Sequence, residues 1–441
     1  MSISQALCAP MSVYYFAGPM TKSFLSACSS PHTGRALVAR RVYENADGKP
    51  TIAACPEERQ QMIISCSSST YSPFKARRSS IMRVPTAHDI TLLNMPSLHC
   101  TFPSLVHPHY HAVKEQCDAW IEALVQPSSP TALHFLHDCL LPLFICRMNP
   151  KAQSQLRLVH VIKMISWLMV SDDDDDHPDV LGSNFTTTSR RADLVMAILH
   201  KVDNTDDNSF DLSFLTHTQP NFARKSVRML KAFAELWDEI RQEMSPLLQA
   251  RFISTMADYF EGIKAQASFR EEDCVPDVES YMEIRRQASF TIPIFVLMEY
   301  ALGIQLDEAT FYNPLIQELR NVVLDYISLC NDIVSCPIEI SMRDYFNLPS
   351  VLYNCATNTH PPWKFTSFQN AVDHVAQMVE DLNTKAIFLI STIQEENKHM
   401  EPYMVDPIYA YLDGLSLCMS GALTWFYESA RYNQPQNRNR H

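Results

Sequence analysis

The sequence predicts an all-α protein, and three observations carry that prediction. Glycine is scarce, at 8 in 441 residues, whereas the tight turns of sheet proteins draw heavily on it. Apolar residues recur at helical spacing in about ten long stretches. The links between those stretches are short and polar or contain proline, with no internal repeat period. One large helical domain is the simplest architecture for such a chain.

The elements follow in chain order. Residues 1 to about 85 are rich in Ser, Cys and Arg, poor in acids, and without a sustained period, as in SCSSSTYSPFKARRSS. Residues 1–85 read as a divergent, disordered N-terminal extension or a misassigned start. A transit peptide is the alternative, because such peptides are Arg- and Ser-rich and acid-poor. From Pro108 onward the pattern turns helical: PHYHAVKEQCDAWIEALV sets apolar residues at 110, 113, 117, 120, 121 and 124, a single helix stripe. LRLVHVIKMISWLMV, ADLVMAILHKV, RMLKAFAELWDEIRQEM and LLQARFISTMADYFEGIKAQASF continue it. SYMEIRRQASFTIPIFVLMEYALGI, PLIQELRNVVLDYISLCNDIV, FQNAVDHVAQMVEDLNTKAIFLISTIQEENKHM and PIYAYLDGLSLCMSGALTWFYESARY complete it. The helical domain is expected over residues 86–435, followed by a polar tail at 436–441.

Composition excludes several classes of function. Charged residues are 19% and hydrophobic residues 46% of the chain, so its bulk is globular. A net charge of −13 argues against a nucleic-acid partner, which calls for a basic face. It leaves small anions open, because a bound cation can bridge an acidic site to a phosphate. Thirteen cysteines at irregular spacing, with no CxxC pair, read as buried thiols of a reducing, cytoplasmic compartment. No apolar run approaches about 18 residues, so no membrane span is expected. The first residues lack a basic segment followed by an apolar core, so a secretory signal is not expected either.

Four constellations carry chemistry. In NDIVSCPIE an amide, a hydroxyl and a carboxylate stand four residues apart, at Asn331, Ser335 and Glu339. A helix drifts only about 40° over four residues, so the three oxygens share one face. Such hard ligands suit Mg²⁺ far better than Zn²⁺. SDDDDDHPDV follows the apolar run ISWLMV and holds Asp172, Asp173, Asp175, Asp176 and Asp179. Carboxylates so close together need cations unless they are fully solvated. YMEIRRQASF brings Arg285 and Arg286, and WFYESARY brings Arg431 and Tyr432. Guanidinium groups fork onto phosphate oxygens, and a phenol adds one more donor. Taken singly, these are a hydrogen-bonding helix face, a solvated acidic loop and surface ion pairs. Together they describe a metal–diphosphate clamp over an apolar pocket.

At this point the chain resembles a fungal class I terpene synthase of the sesquiterpene cyclase kind, similar to the trichodiene and pentalenene synthases. NDIVSCPIE matches the NDxxSxxxE motif, Arg285 lies 46 residues before Asn331 at the diphosphate-sensor spacing, and SARY supplies the terminal Arg-Tyr pair. DYFEGIKAQASFR and PHYHAVKEQCDAW also look like family segments. The resemblance implies a single helical bundle of ten or more helices around a central apolar cavity. It implies three Mg²⁺ ions, one on Asn331, Ser335 and Glu339 and two on the aspartates, with Arg285, Arg431 and Tyr432 gripping diphosphate. The aspartate frame stays open, since Asp172, Asp173 and Asp176 fit DDxxD and so do Asp175, Asp176 and Asp179. The activity implied is ionisation of farnesyl diphosphate, an isoprenyl diphosphate, and cyclisation of the cation to a sesquiterpene hydrocarbon or alcohol. No general acid or base is assigned, and the assembly implied is a monomer or homodimer. A trans-prenyltransferase and a catalytically impaired diphosphate-binding protein are the alternatives. Trp425 and Trp167 are the expected pocket aromatics.

Three departures stand out. Pro337 falls inside the metal helix, where it removes one backbone bond and is expected to bend the helix. Cys336 and Ile338 replace the Tyr and Lys often found there. Ala288 and Ser289 lack the acid and glycine of some relatives.

Overall fold

The computed structural model describes residues 43–44, 50–51, 83–176, 183–201, 220–354 and 365–433, with backbone alone at 43–44, 50–51, 174–176 and 220–222. The chain divides into two units, Met1–Pro73 and Phe74–His441. In the first, strand β1 (Tyr43–Glu44) pairs antiparallel with β2 (Pro50–Thr51), Tyr43 opposite Thr51. The rest of the expected extension, as far as residue 82, lies outside the described residues, as does the polar tail at 436–441.

In the second unit the described residues form sixteen helices, ten of them eleven residues or longer. They are α1 (Ala87–Thr91), α2 (Tyr110–Val125), α3 (Pro130–Asp138), α4 (Leu141–Met148), α5 (Gln155–Asp176), α6 (Phe185–His200), α7 (Pro220–Glu243) and α8 (Pro246–Glu271). There follow α9 (Val278–Ala288), α10 (Thr291–Leu302), α11 (Glu308–Phe311), α12 (Pro314–Ser341), α13 (Leu348–Asn354), α14 (Phe368–Asn397), α15 (Pro402–Glu428) and α16 (Ala430–Asn433). Local chemistry sets several starts. The side chains of Ser245, Asp277 and Ser367 each accept the backbone N–H three residues on, an N-cap contribution of about 1 kcal/mol apiece.

One stretch that reads as a single helix is broken in two. Between α9 and α10, Phe290 takes a left-handed conformation with φ of 43°. Pro293 explains the break, because in a continuous helix its ring would collide with the carbonyl four residues back, at Ser289. That carbonyl is instead satisfied by the Thr291 hydroxyl, 3.2 Å away. Pro337 does not end its helix: α12 continues past it to Ser341. The carbonyl it orphans, at Ile333, accepts the Cys336 thiol at 3.2 Å. A residue that departs from the usual pattern thus fills the bond its neighbour removes.

Close packing fixes the elements that face the cavity. Gly262 on α8 lies so near α9 that a Cβ there would meet the Ala288 amide nitrogen at 2.5 Å, which leaves no room for a larger residue. Glu299 on α10 is wholly buried and accepts Arg251 Nη1 of α8 at 2.8 and 2.9 Å and the Leu306 amide at 3.1 Å. A buried carboxylate is tolerated only when its oxygens are met in this way. Among the described residues, no helix is long and apolar enough to cross a membrane.

Candidate active site

A cavity of about 510 Å³ opens at the ends of α5, α9, α12 and α16. Its mouth is polar. Asn331, Ser335 and Glu339 line it from α12, Asp172 and Asp173 from α5, Arg285 from α9, and Arg431 and Tyr432 from α16. Its interior is apolar, built from Phe135, Phe144, Met148, Phe290, Ile294 and Trp425 among others.

The polar groups are wired to one another. Asn331 stands at the centre: its Oδ1 accepts Arg285 Nη2 at 2.8 Å, and its Nδ2 donates to the Tyr432 hydroxyl at 3.0 Å. Ser335 donates to the Asn331 carbonyl at 2.7 Å, within its own helix. Glu339 accepts Asn347 Nδ2 at 2.8 Å. Across the mouth, Arg431 forks onto Asp173, with Nη1 to Oδ2 at 3.0 Å. Tyr259 donates to Asp172 at 3.5 Å.

Electrostatics follow from burial. Glu339 has its pKa pushed up to about 8, first by burial and then by the Asp344 carboxylate. Burial opposes the charge of Arg285, but the Asp332 carboxylate outweighs it and holds the guanidinium firmly protonated. The Tyr432 phenol is driven up to about 12 by burial, so it remains a donor at neutral pH.

The structure brings most of the expected residues to this cavity, but not all. Trp425 lines it: its indole N–H donates to the Cys139 carbonyl at 2.8 Å, and its ring stacks on Phe144 at 4.1 Å. Trp167, also expected as a pocket aromatic, is not among the lining residues. Its N–H donates to the Met229 carbonyl at 2.8 Å, and its ring packs on Phe233 at 4.4 Å. Its place on α5 turns it toward α7, and its role is core packing. The backbone of α5 continues through Asp175 and Asp176, whose side chains lie outside the described residues, as does the whole of Asp179.

Four contributors, Asp332, Asn347, Phe135 and Phe144, are not singled out by the sequence. Asp332 is buried and accepts Arg285 Nε at 2.9 Å, the Tyr281 hydroxyl at 2.5 Å and the Leu348 amide at 3.0 Å. Its signal is adjacency to Asn331, one position off the ligand face. Asn347 holds Glu339 and also accepts the Ser350 amide at 3.0 Å. Short α3 and α4 supply Phe135 and Phe144, and their eight or nine residues leave too little periodicity to read.

The donor set suits a magnesium ion. An amide, a hydroxyl and one carboxylate on a single helix face, opposite further carboxylates, offer only hard oxygens. Among the described residues, no group of three or more His, Cys, Asp or Glu side chains is placed to hold a metal ion.

An all-α chamber with aromatic walls, rimmed on one side by helix-borne oxygens and on the other by guanidinium groups, is the class I terpenoid synthase arrangement. Hedycaryol synthase, solved in complex with nerolidol, has the same fold, with a TM-score of 0.59 at 17% identity over 76% of this chain and 100% of that one. Residues 163–384 match the family described as "Terpene synthase family 2, C-terminal metal binding", and the chain belongs to that family. Similar proteins include Microbial Terpene synthase-like protein 13 of Selaginella moellendorffii, 26% identical over 74% of this chain and 84% of the relative. Sesquiterpene synthase Agr3 of Cyclocybe aegerita is 27% identical over 76% of this chain and 87% of its own length.

Proposed function

We propose that this terpene synthase ionises farnesyl diphosphate and cyclises the cation to a sesquiterpene. The observation that carries the reading is the convergence of Asn331, Ser335, Glu339, Asp172, Asp173, Arg285, Arg431 and Tyr432 at the mouth of one apolar cavity. Its volume of about 510 Å³ falls in the range of small-molecule sites, roughly 300–1,000 Å³. Sesquiterpene synthase activity in the name of the Cyclocybe relative supports the farnesyl chain length.

Arg285, Arg431 and Tyr432 donate to the diphosphate oxygens, and Asn331 orients two of these three groups through its own hydrogen bonds. Mg²⁺, when bound to Asn331, Ser335 and Glu339 and to the aspartates, supplies the positive charge that stabilises diphosphate as it leaves. Three ions are the number we propose. Asp172 and Asp173 both face the cavity, which favours the frame Asp172, Asp173 and Asp176 over Asp175, Asp176 and Asp179. Ionisation of an allylic diphosphate needs no general acid on the protein. The stacked Phe144 and Trp425 offer ring faces to the migrating positive charge, and the apolar wall keeps bulk water from it. All eight described cysteines are free thiols, which supports a reducing, cytoplasmic setting. A monomer or homodimer completes the proposal.

Incubation with farnesyl diphosphate and Mg²⁺, with headspace mass spectrometry, is expected to yield a C15 terpene together with diphosphate. Longer prenyl diphosphates, formed when isopentenyl diphosphate is added as the second substrate, would mark a chain-elongating transferase instead. Binding without turnover would mark an impaired diphosphate-binding protein. Either outcome overturns the proposal.

A further inference from the structure

Arg431 and Tyr432 are carried on a very short element. α16 is four residues long, too short to hold its shape by its own backbone bonds. Ser429 sets its start, leaving helical geometry at φ −73° and ψ 135° and turning the chain out of α15. This serine is fully buried. Its hydroxyl donates to the Cys139 carbonyl at 2.9 Å and accepts the Arg431 amide at 3.2 Å. The same Cys139 carbonyl accepts the Trp425 indole at 2.8 Å, so the turn is moored to the point that also fixes the cavity wall.

The far end of α16 closes the turn. A helix leaves its last carbonyls without partners inside it, and at the end of α15 Asn433 meets them. Its Nδ2 lies 2.8 Å from the Phe426 carbonyl, 3.0 Å from that of Tyr427 and 2.9 Å from that of Ser429. Acceptors on every side require the donor end of the amide there. Asn433 is exposed and is not among the residues lining the cavity. The side chains it carries into place differ in how they are steadied. Tyr432 packs edge-on against Trp425 at 5.6 Å and Phe426 at 5.4 Å. Arg431 is long and flexible, and its fork onto Asp173 depends on what else that carboxylate binds. Its backbone anchor on Ser429 does not.

We propose that Asn433 and Ser429 are positioning residues for the diphosphate: together they make the α15–α16 turn a rigid arm that presents Arg431 and Tyr432 at the cavity mouth. This rests on the reading of that pair as diphosphate donors. Neither Asn433 nor Ser429 touches the substrate, and both act only through the place they give the guanidinium and the phenol. Such an arm lets the donors meet diphosphate without first being ordered, which is where a preorganised site gains its affinity.

The test is calorimetric titration of the full chain with inorganic pyrophosphate in the presence of Mg²⁺. Asn433→Asp keeps the shape of the side chain but puts an acceptor where the three carbonyls need a donor, and is expected to weaken pyrophosphate binding about tenfold. Asn433→Ala, which removes the amide without adding charge, should behave alike. KM for farnesyl diphosphate should rise with it while kcat changes less than about threefold, because the donors grip diphosphate before as well as after it leaves. Asn433 is exposed, so both variants are expected to fold, and a thermal melt checks this. In an Arg431→Ala/Tyr432→Phe background the same substitutions should weaken binding no further, since a residue that acts through partners loses its effect once they are gone. Unaltered pyrophosphate affinity in both variants overturns the proposal. So does an equal loss in the background without the donors, which would mark a role in folding alone. If wild type binds no pyrophosphate with Mg²⁺, the clamp reading itself fails and takes this proposal with it.

Discussion

Asn331→Ala combined with Glu339→Ala is expected to lower turnover of farnesyl diphosphate by about 10³-fold or more, since removing a single preorganised electrostatic group typically costs 10²–10³. The two residues contribute an amide and the only carboxylate of the α12 ligand face. Asn331 also holds Arg285 and Tyr432 in place, so its loss loosens the diphosphate donors as well. The double variant should still fold. Glu339 is a carboxylate that burial and Asp344 both disfavour in its charged form, and its removal relieves that repulsion. Diphosphate release at saturating substrate, beside a circular dichroism melt, separates lost chemistry from lost structure. Turnover within about tenfold of wild type would reject both residues as ligands.

Asp332→Ala is expected to have the largest effect on stability. It would strand the Arg285 guanidinium, the Tyr281 hydroxyl and the Leu348 amide, all of which Asp332 accepts in a buried setting. Removing one partner of a buried ion pair costs about 3–5 kcal/mol, which corresponds to a fall in Tm of roughly 4–7 °C for a domain of this size. Asp332→Asn keeps one oxygen acceptor and should fall between the two. Because Asp332 anchors Arg285, the folded fraction of either variant should also show a raised KM. A thermal melt within about 2 °C of wild type would show that Arg285 is held by something else.

The fold was largely legible because helical periodicity over long segments survives burial. Asn331, Ser335 and Glu339 could be placed together from spacing alone, since four residues on a helix keep one face. The break at Phe290 was encoded in Pro293 and its clash with the Ser289 carbonyl, yet the surrounding apolar pattern runs through it without interruption. Orientation inside the bundle was harder. Trp167 and Trp425 both sit on strongly apolar helices near polar motifs, and nothing in their spacing distinguishes the neighbour each one faces. Only the partner carbonyls, Met229 for one and Cys139 for the other, tell a core tryptophan from a cavity wall. Asp332 was hidden for the converse reason: it lies off the ligand face and acts through Arg285, a contact 47 residues away in sequence.

The most direct measurement is a crystal structure of the chain with Mg²⁺ and inorganic pyrophosphate. The expected result is one ion within about 2.0–2.1 Å of oxygens from Asn331, Ser335 and Glu339, others beside Asp172 and Asp173, and pyrophosphate gripped by Arg285, Arg431 and Tyr432. Pyrophosphate bound elsewhere, or Glu339 turned from the cavity with no ion beside it, would contradict the account.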